Sequence, residues 1–264
     1  MSSAPASPYA ALAARFRRNS LLGEAAGILQ WDMAAMMPEG GAEARAEQLA
    51  TIKVVAHEVL SDRATADLLA GAEANAEALA PEERANLGEM RRAWLHASAV
   101  PADLVEALSR AVSQCEMRWR RARAENDFKG LLPSLACVLD LTRESARIKA
   151  ASLGVGPYEA LLDEYEPGAA SAEIDRLFDD LAAFLPGFTD QVIERQHRLG
   201  APLAISGLFP AATQDALARE IMIRLGFDFA HGRLDTSHHP FCGGVPEDVR
   251  LTTRWDESDW TRGL

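Results

Sequence analysis

Residues 101–125 read PADLVEALSRAVSQCEMRWRRARAE. Within them Leu104, Leu108, Ala111, Val112, Cys115, Trp119 and Ala122 recur at steps of three and four, the spacing that brings side chains to one face of an α-helix. Pro101 stands where a first-turn proline opens a helix without losing a needed N–H. Arg110, Arg118, Arg121 and Glu125 fall on the other side, as a solvated face requires. A second stripe runs through Ile174, Leu177, Phe178, Leu181, Phe184, Leu185, Phe188 and Val192, with Ser171 as its expected N-cap. Pro186 lies inside that stripe and should kink or divide the helix, because proline has no N–H and crowds the preceding turn.

Outward from these two stripes, the stretches 8–33, 42–60, 63–78, 81–98, 130–152 and 211–225 have the same helical texture. Ala, Leu, Glu and Arg dominate, aromatic residues are only 6%, and β-branched residues are sparse over the first 200 positions. Pro81 followed by Glu82 and Glu83 is an acidic first turn, suited to the positive end of a helix. Breaks are expected at Pro38-Glu-Gly-Gly41, Gly154-Val-Gly-Pro157, Pro167-Gly168, Gly200-Ala-Pro202 and Gly243-Gly244. After residue 226 the texture changes. DVRLTTRW (248–255) alternates with period two, placing Asp248, Arg250, Thr252 and Arg254 on one face and Val249, Leu251, Thr253 and Trp255 on the other. FAHGRLDT (229–236) is its expected partner strand. The fold class is therefore mainly α: a helical body over 1–226, then a small antiparallel sheet and cleft-lining segment over 227–264, in one unit.

The chain has 264 residues, enough for a substantial core. Its 27 basic and 39 acidic residues give −12, which argues against a nucleic-acid backbone or an anionic membrane as partner. No apolar run approaches the length of a spanning helix, and the start, MSSAPASPYAALAARF, lacks a secretory pattern. Three scattered cysteines, Cys115, Cys137 and Cys242, fit a reducing compartment, so a cytoplasmic protein is expected.

Few residues suggest chemistry by themselves. His57-Glu58 opens like the zinc motif His-Glu-x-x-His, but Ser61 occupies the fifth position, and both residues are expected on an ordinary helix surface. His231, Asp235, His238 and His239 form the one histidine cluster; they either bind a metal or simply hydrogen-bond their own loop. The row Arg250, Thr252, Arg254 could read an extended peptide or its terminal carboxylate, since guanidinium grips carboxylate through paired charge-assisted bonds. The plainer alternative is an edge strand whose solvated charges deter strand pairing. Neither a phosphate loop nor a Gly-x-Ser-x-Gly elbow is visible.

Four segments in order resemble the carboxypeptidase Taq family of zinc metallocarboxypeptidases. ILQWDMAAMMPEGGAEARAEQLATI (28–52) is similar to the family's Trp-Asp…Met-Pro…Gly-Gly stretch, and YEALLDEYEPG (158–168) to a second segment. LGFDFAHGRLDTSHHPF (225–241) contains a His-Pro-Phe motif at His239, Pro240 and Phe241, and DVRLT (248–252) is an Asp-x-Arg-x-Thr motif. The resemblance implies a helical, cleft-containing fold, a homodimer, and removal of C-terminal amino acids from peptides with zinc or another divalent metal such as cobalt. It further implies that His239 and Phe241 shape the cleft floor while Asp248, Arg250 and Thr252 line the substrate strand, with Arg250 holding the peptide carboxylate. In the family a zinc helix follows the Asp-x-Arg-x-Thr motif. No residue here matches it, so neither catalytic residue nor metal ligand is assigned, and no bound metal is expected. The chain reads as the N-terminal part of such an enzyme, inactive alone, or as a non-catalytic helical scaffold that keeps the cleft wall. Val249, Leu251, Trp255 and Trp260 are then expected to be exposed or covered by another copy.

Overall fold

The structure is a computed structural model and describes residues 7–200 and 206–262. Among these it forms nine α-helices: α1 (Pro8–Ala35), α2 (Ala42–Ser61), α3 (Arg63–Glu73), α4 (Pro81–Ala99), α5 (Ala102–Glu125), α6 (Phe128–Leu153), α7 (Pro157–Leu162), α8 (Ser171–Leu199) and α9 (Ala211–Arg224). Three strands follow: β1 (Gly232–Thr236), β2 (Cys242–Val245) and β3 (Asp248–Thr253). Ala201 and Pro202, in the expected break after α8, lie outside the described residues.

Local chemistry sets the helix ends. The Ser7 hydroxyl accepts from the Ala10 N–H at 3.2 Å and the Asp127 carboxylate from the Gly130 N–H at 2.9 Å, each satisfying a first-turn donor. At the start of α4 the Glu83 carboxylate accepts from the Ala80 N–H at 3.0 Å, while Pro81 fills the first helical position. Asn126 and Gly154 close α5 and α6 in the left-handed region, at φ 55° and 71°.

Two buried clusters hold the helices together. Leu12, Leu69, Ala72, Leu87 and Met90 join α1, α3 and α4, and Ala26, Met33 and Leu49 join α1 to α2, with Met117 of α5 against them. The deepest positions of α5 are Leu104, Ser109, Ser113 and Ala122. The buried face is thus rotated from the expected stripe toward small residues, which let α2 come close. Val112 is left exposed.

Three expectations for the helices are corrected. Pro101 is the N-cap of α5, outside its first turn. α8 runs unbroken through Pro186, and its N-cap is Ala170; Ser171 is the first helical residue and spends its hydroxyl on Glu159. α8 also buries none of its residues, with Phe178 at 63% and Phe184 at 59% exposure. Pro186 therefore does not divide the helix, which continues on both sides of it.

The sheet has the order β1-β3-β2, with β1 parallel and β2 antiparallel to β3. The expected antiparallel sheet is therefore mixed. β2 and β3 form a hairpin through Pro246 and Glu247, and β1 adds to the other side of β3 by skipping over it. β3 is consequently a central strand, and the reading of it as a solvated edge does not hold. Val249, Leu251, Trp255 and Trp260, expected to be exposed, are half-buried within one chain. The broad exposed apolar surface lies instead on α8.

Candidate substrate-facing wall

The polar row of β3 faces the helical body. The Arg250 guanidinium lies over the Trp31 ring at 4.3 Å, and Arg233, in register with it on β1, lies over the same ring at 4.8 Å. Trp31 is only 6% exposed, and its indole N–H is buried without a partner among the described residues. Each arginine is forked onto a carboxylate two residues along its own strand face. Arg250 bonds Asp248 at 2.5 and 2.7 Å, and Arg233 bonds Asp235 at 2.6 and 2.7 Å. The carboxylates offset the repulsion between two guanidinium groups facing each other across strands. The hydrogen bonds from Arg250, followed by the charges of Arg250 and Arg233, hold the Asp248 carboxyl below the usual carboxylate range.

Asp32, next to Trp31, pairs with Arg45 at 2.6 Å. Arg45 also donates to the Leu29 carbonyl at 2.7 Å, so the end of α1 is fixed to α2 just where it receives the sheet. Thr252 is buried and clasps the loop before β2. Its hydroxyl accepts from the Phe241 N–H at 2.9 Å and lies 2.8 Å from Ser237 Oγ, while its own N–H donates to the Phe241 carbonyl at 2.9 Å. Phe241 then lines a cavity of about 240 Å³ with Gln30, Met33, Lys53 and Glu116. His239 is exposed, and its carbonyl accepts from Ser237 Oγ at 2.9 Å. The structure thus brings Phe241, Asp248, Arg250 and Thr252 together with Trp31 and leaves the His239 side chain facing outward. Sequence reasoning missed Trp31, Arg233 and Asp235 as members of the group. The Arg233-x-Asp235 spacing mirrors Asp248-x-Arg250 and was the available signal.

The remaining candidates fall elsewhere. Glu58 is exposed as expected, but His57 is half-buried and lines a cavity, which corrects its placement on the surface. Burial pushes the His57 imidazole below its ordinary value, against a smaller opposite pull from Glu58. His231 bonds Asp228 at 2.7 Å, and Asp235 is taken by Arg233. His238 and His239 are exposed, so the histidine cluster does not converge. Among the described residues no three His, Cys, Asp or Glu side chains are grouped as metal ligands. The donors among the described residues do not fit a catalytic divalent metal.

The chain matches the carboxypeptidase Taq (M32) metallopeptidase family over residues 11–264. It belongs to that family. This M32 chain is 32% identical to thermostable carboxypeptidase 1 of Thermus thermophilus, across 98% of its own length and 53% of the relative's. It superposes on metallocarboxypeptidase 1 of Trypanosoma cruzi with a TM-score of 0.83 at 37% identity, covering 97% of itself and 52% of that chain. An M32 carboxypeptidase from Deinococcus radiodurans gives 0.79 at 29% identity, with coverage of 98% and 51%. The M32 chain therefore spans about half the length of the relatives it matches. No helix among its described residues is long and apolar enough to cross a membrane.

The resembling segment 158–168 has its own role. The Asp163 carboxylate accepts from His96 Nε2 at 2.6 Å and from the Gly168 N–H at 2.8 Å, with Arg92 at 3.8 Å. Glu164 pairs with Lys149 of α6. This stretch of the M32 chain ties α4 to α6.

Proposed function

We propose that this chain supplies the helical housing and one cleft wall of a metal-dependent carboxypeptidase that releases C-terminal amino acids from peptides, using zinc or cobalt. By itself it binds no metal and cleaves nothing. The supporting observation is the gathering of three family segments on Trp31: its own segment on α1, the β1 arginine, and the Asp-x-Arg-x-Thr strand whose Thr252 sets Phe241.

Arg250 is the carboxylate-binding group. Asp248 takes the Nε and Nη2 edge of its guanidinium, leaving Nη1 without a partner among the described residues. By calorimetry, a short peptide with a free C-terminus should bind the chain at least fivefold more tightly than its C-terminal amide. Arg250→Lys should remove that preference while the protein stays folded. Equal binding of the two peptides would take Arg250 out of this role.

The functional unit is a homodimer, supported by the family resemblance and by apolar surface left open on α8. Sedimentation equilibrium should give twice the chain mass at micromolar concentration; a single-chain mass throughout would contradict it.

A further inference from the structure

A cavity of about 410 Å³ lies among α2, α4, α5 and α6, apart from the arginine–tryptophan stack. Its walls are mainly apolar, with Leu104, Val105 and Leu108 contributed by α5. Lys53 and His57, one turn apart on α2, reach it from one side; Lys149 of α6 and His96 of α4 reach it as well.

The basic groups of this cavity differ in one respect. Lys149 is paired with Glu164, and His96 Nε2 is bonded to Asp163 at 2.6 Å. Lys53 has neither a hydrogen bond nor an ion pair among the described residues, and burial pushes its amine below the ordinary lysine value. In the same lining, Ser109 is 4% exposed and its hydroxyl is buried without a partner among the described residues. Buried polar atoms are normally satisfied, so an unused hydroxyl near a half-buried cation marks room for an anion. An apolar chamber with a cationic end calls for a ligand of the complementary kind. The space is within the size range of small-molecule sites.

We propose that this cavity is a binding site for a medium-chain aliphatic monocarboxylate, with the carboxylate held by Lys53 beside His57 and Ser109 and the chain lying against Leu104, Val105 and Leu108. Lys53 also lines the cavity of Phe241, but no residue of the Asp-x-Arg-x-Thr strand takes part, so the assignment does not rest on the peptidase reading.

The test is calorimetric titration of the 264-residue chain with octanoate, octanol and octylamine. Octanoate should bind at least tenfold more tightly than octanol, and octylamine least tightly. Lys53→Met should weaken octanoate tenfold or more and leave octanol within twofold. Val105→Trp, which fills the chamber, should abolish both, with circular dichroism confirming that each variant is folded. Octanoate and octanol binding alike, octanoate binding unmoved by Val105→Trp as it would be on the open α8 face, or no octanoate binding at millimolar concentration would each overturn the assignment.

Discussion

Replacing Trp31 with alanine should lower the unfolding free energy by about 3–5 kcal/mol, the range for removing a buried large aromatic side chain. The melting temperature should fall by on the order of 10 °C for a chain of this size. The loss has two sources. One is the packing of a ring that is 6% exposed. The other is the platform on which Arg233 and Arg250 both rest, where each cation–π contact adds roughly 0.5–1 kcal/mol. Without it the two guanidinium groups keep their carboxylates but face each other across β1 and β3 over a void. Trp31→Phe, which keeps an aromatic face, should recover part of the loss. Urea denaturation reads both variants. A Trp31→Ala cost below about 1 kcal/mol would show that the sheet is held by other contacts.

Asp163→Ala should cost about 2–4 kcal/mol, because it leaves His96 buried with neither ring nitrogen bonded and frees the Gly168 N–H. The same residue sets a pH dependence. The hydrogen bond from His96, then the Gly168 N–H and the charges of His96 and Arg92, hold the Asp163 carboxyl below the usual range. A carboxyl depressed in the folded state stabilises the fold fully above its unfolded value of about 4. That contribution disappears as pH falls through the lower folded value. The stability gap between the natural protein and Asp163→Asn should thus shrink as pH falls below about 4. A gap unchanged down to about pH 3 would mean that the carboxylate charge does not matter at this position.

The helices were legible because their signals are local. Proline and capping side chains at 7, 81 and 127, and glycine at 154, fix boundaries that a reader of the sequence can place within a few residues. β3 was legible from its alternation. The direction of β1 was not, since strand polarity depends on which side of β3 the chain joins, and no residue in 237–241 encodes that choice by itself. Spacing alone favours solvent for the polar face of β3, because charge usually goes there. It turns inward because Trp31, more than 200 positions earlier, offers a π face to Arg250. Such a pairing is invisible to periodicity. The α8 stripe shows the opposite limit: Ile174 to Val192 has the periodicity of a core helix, yet none of it is buried within this chain. Periodicity reports that a face is apolar, not what covers it.

The proposed role is that of a cleft wall whose hydrolytic chemistry comes from elsewhere. It is tested most directly by incubating the purified protein with peptides at neutral pH, with zinc or cobalt added, and measuring released C-terminal amino acids by mass spectrometry. No release above the buffer control is expected, and no retained metal after dialysis. Metal-dependent release with turnover by the 264-residue chain alone would contradict it.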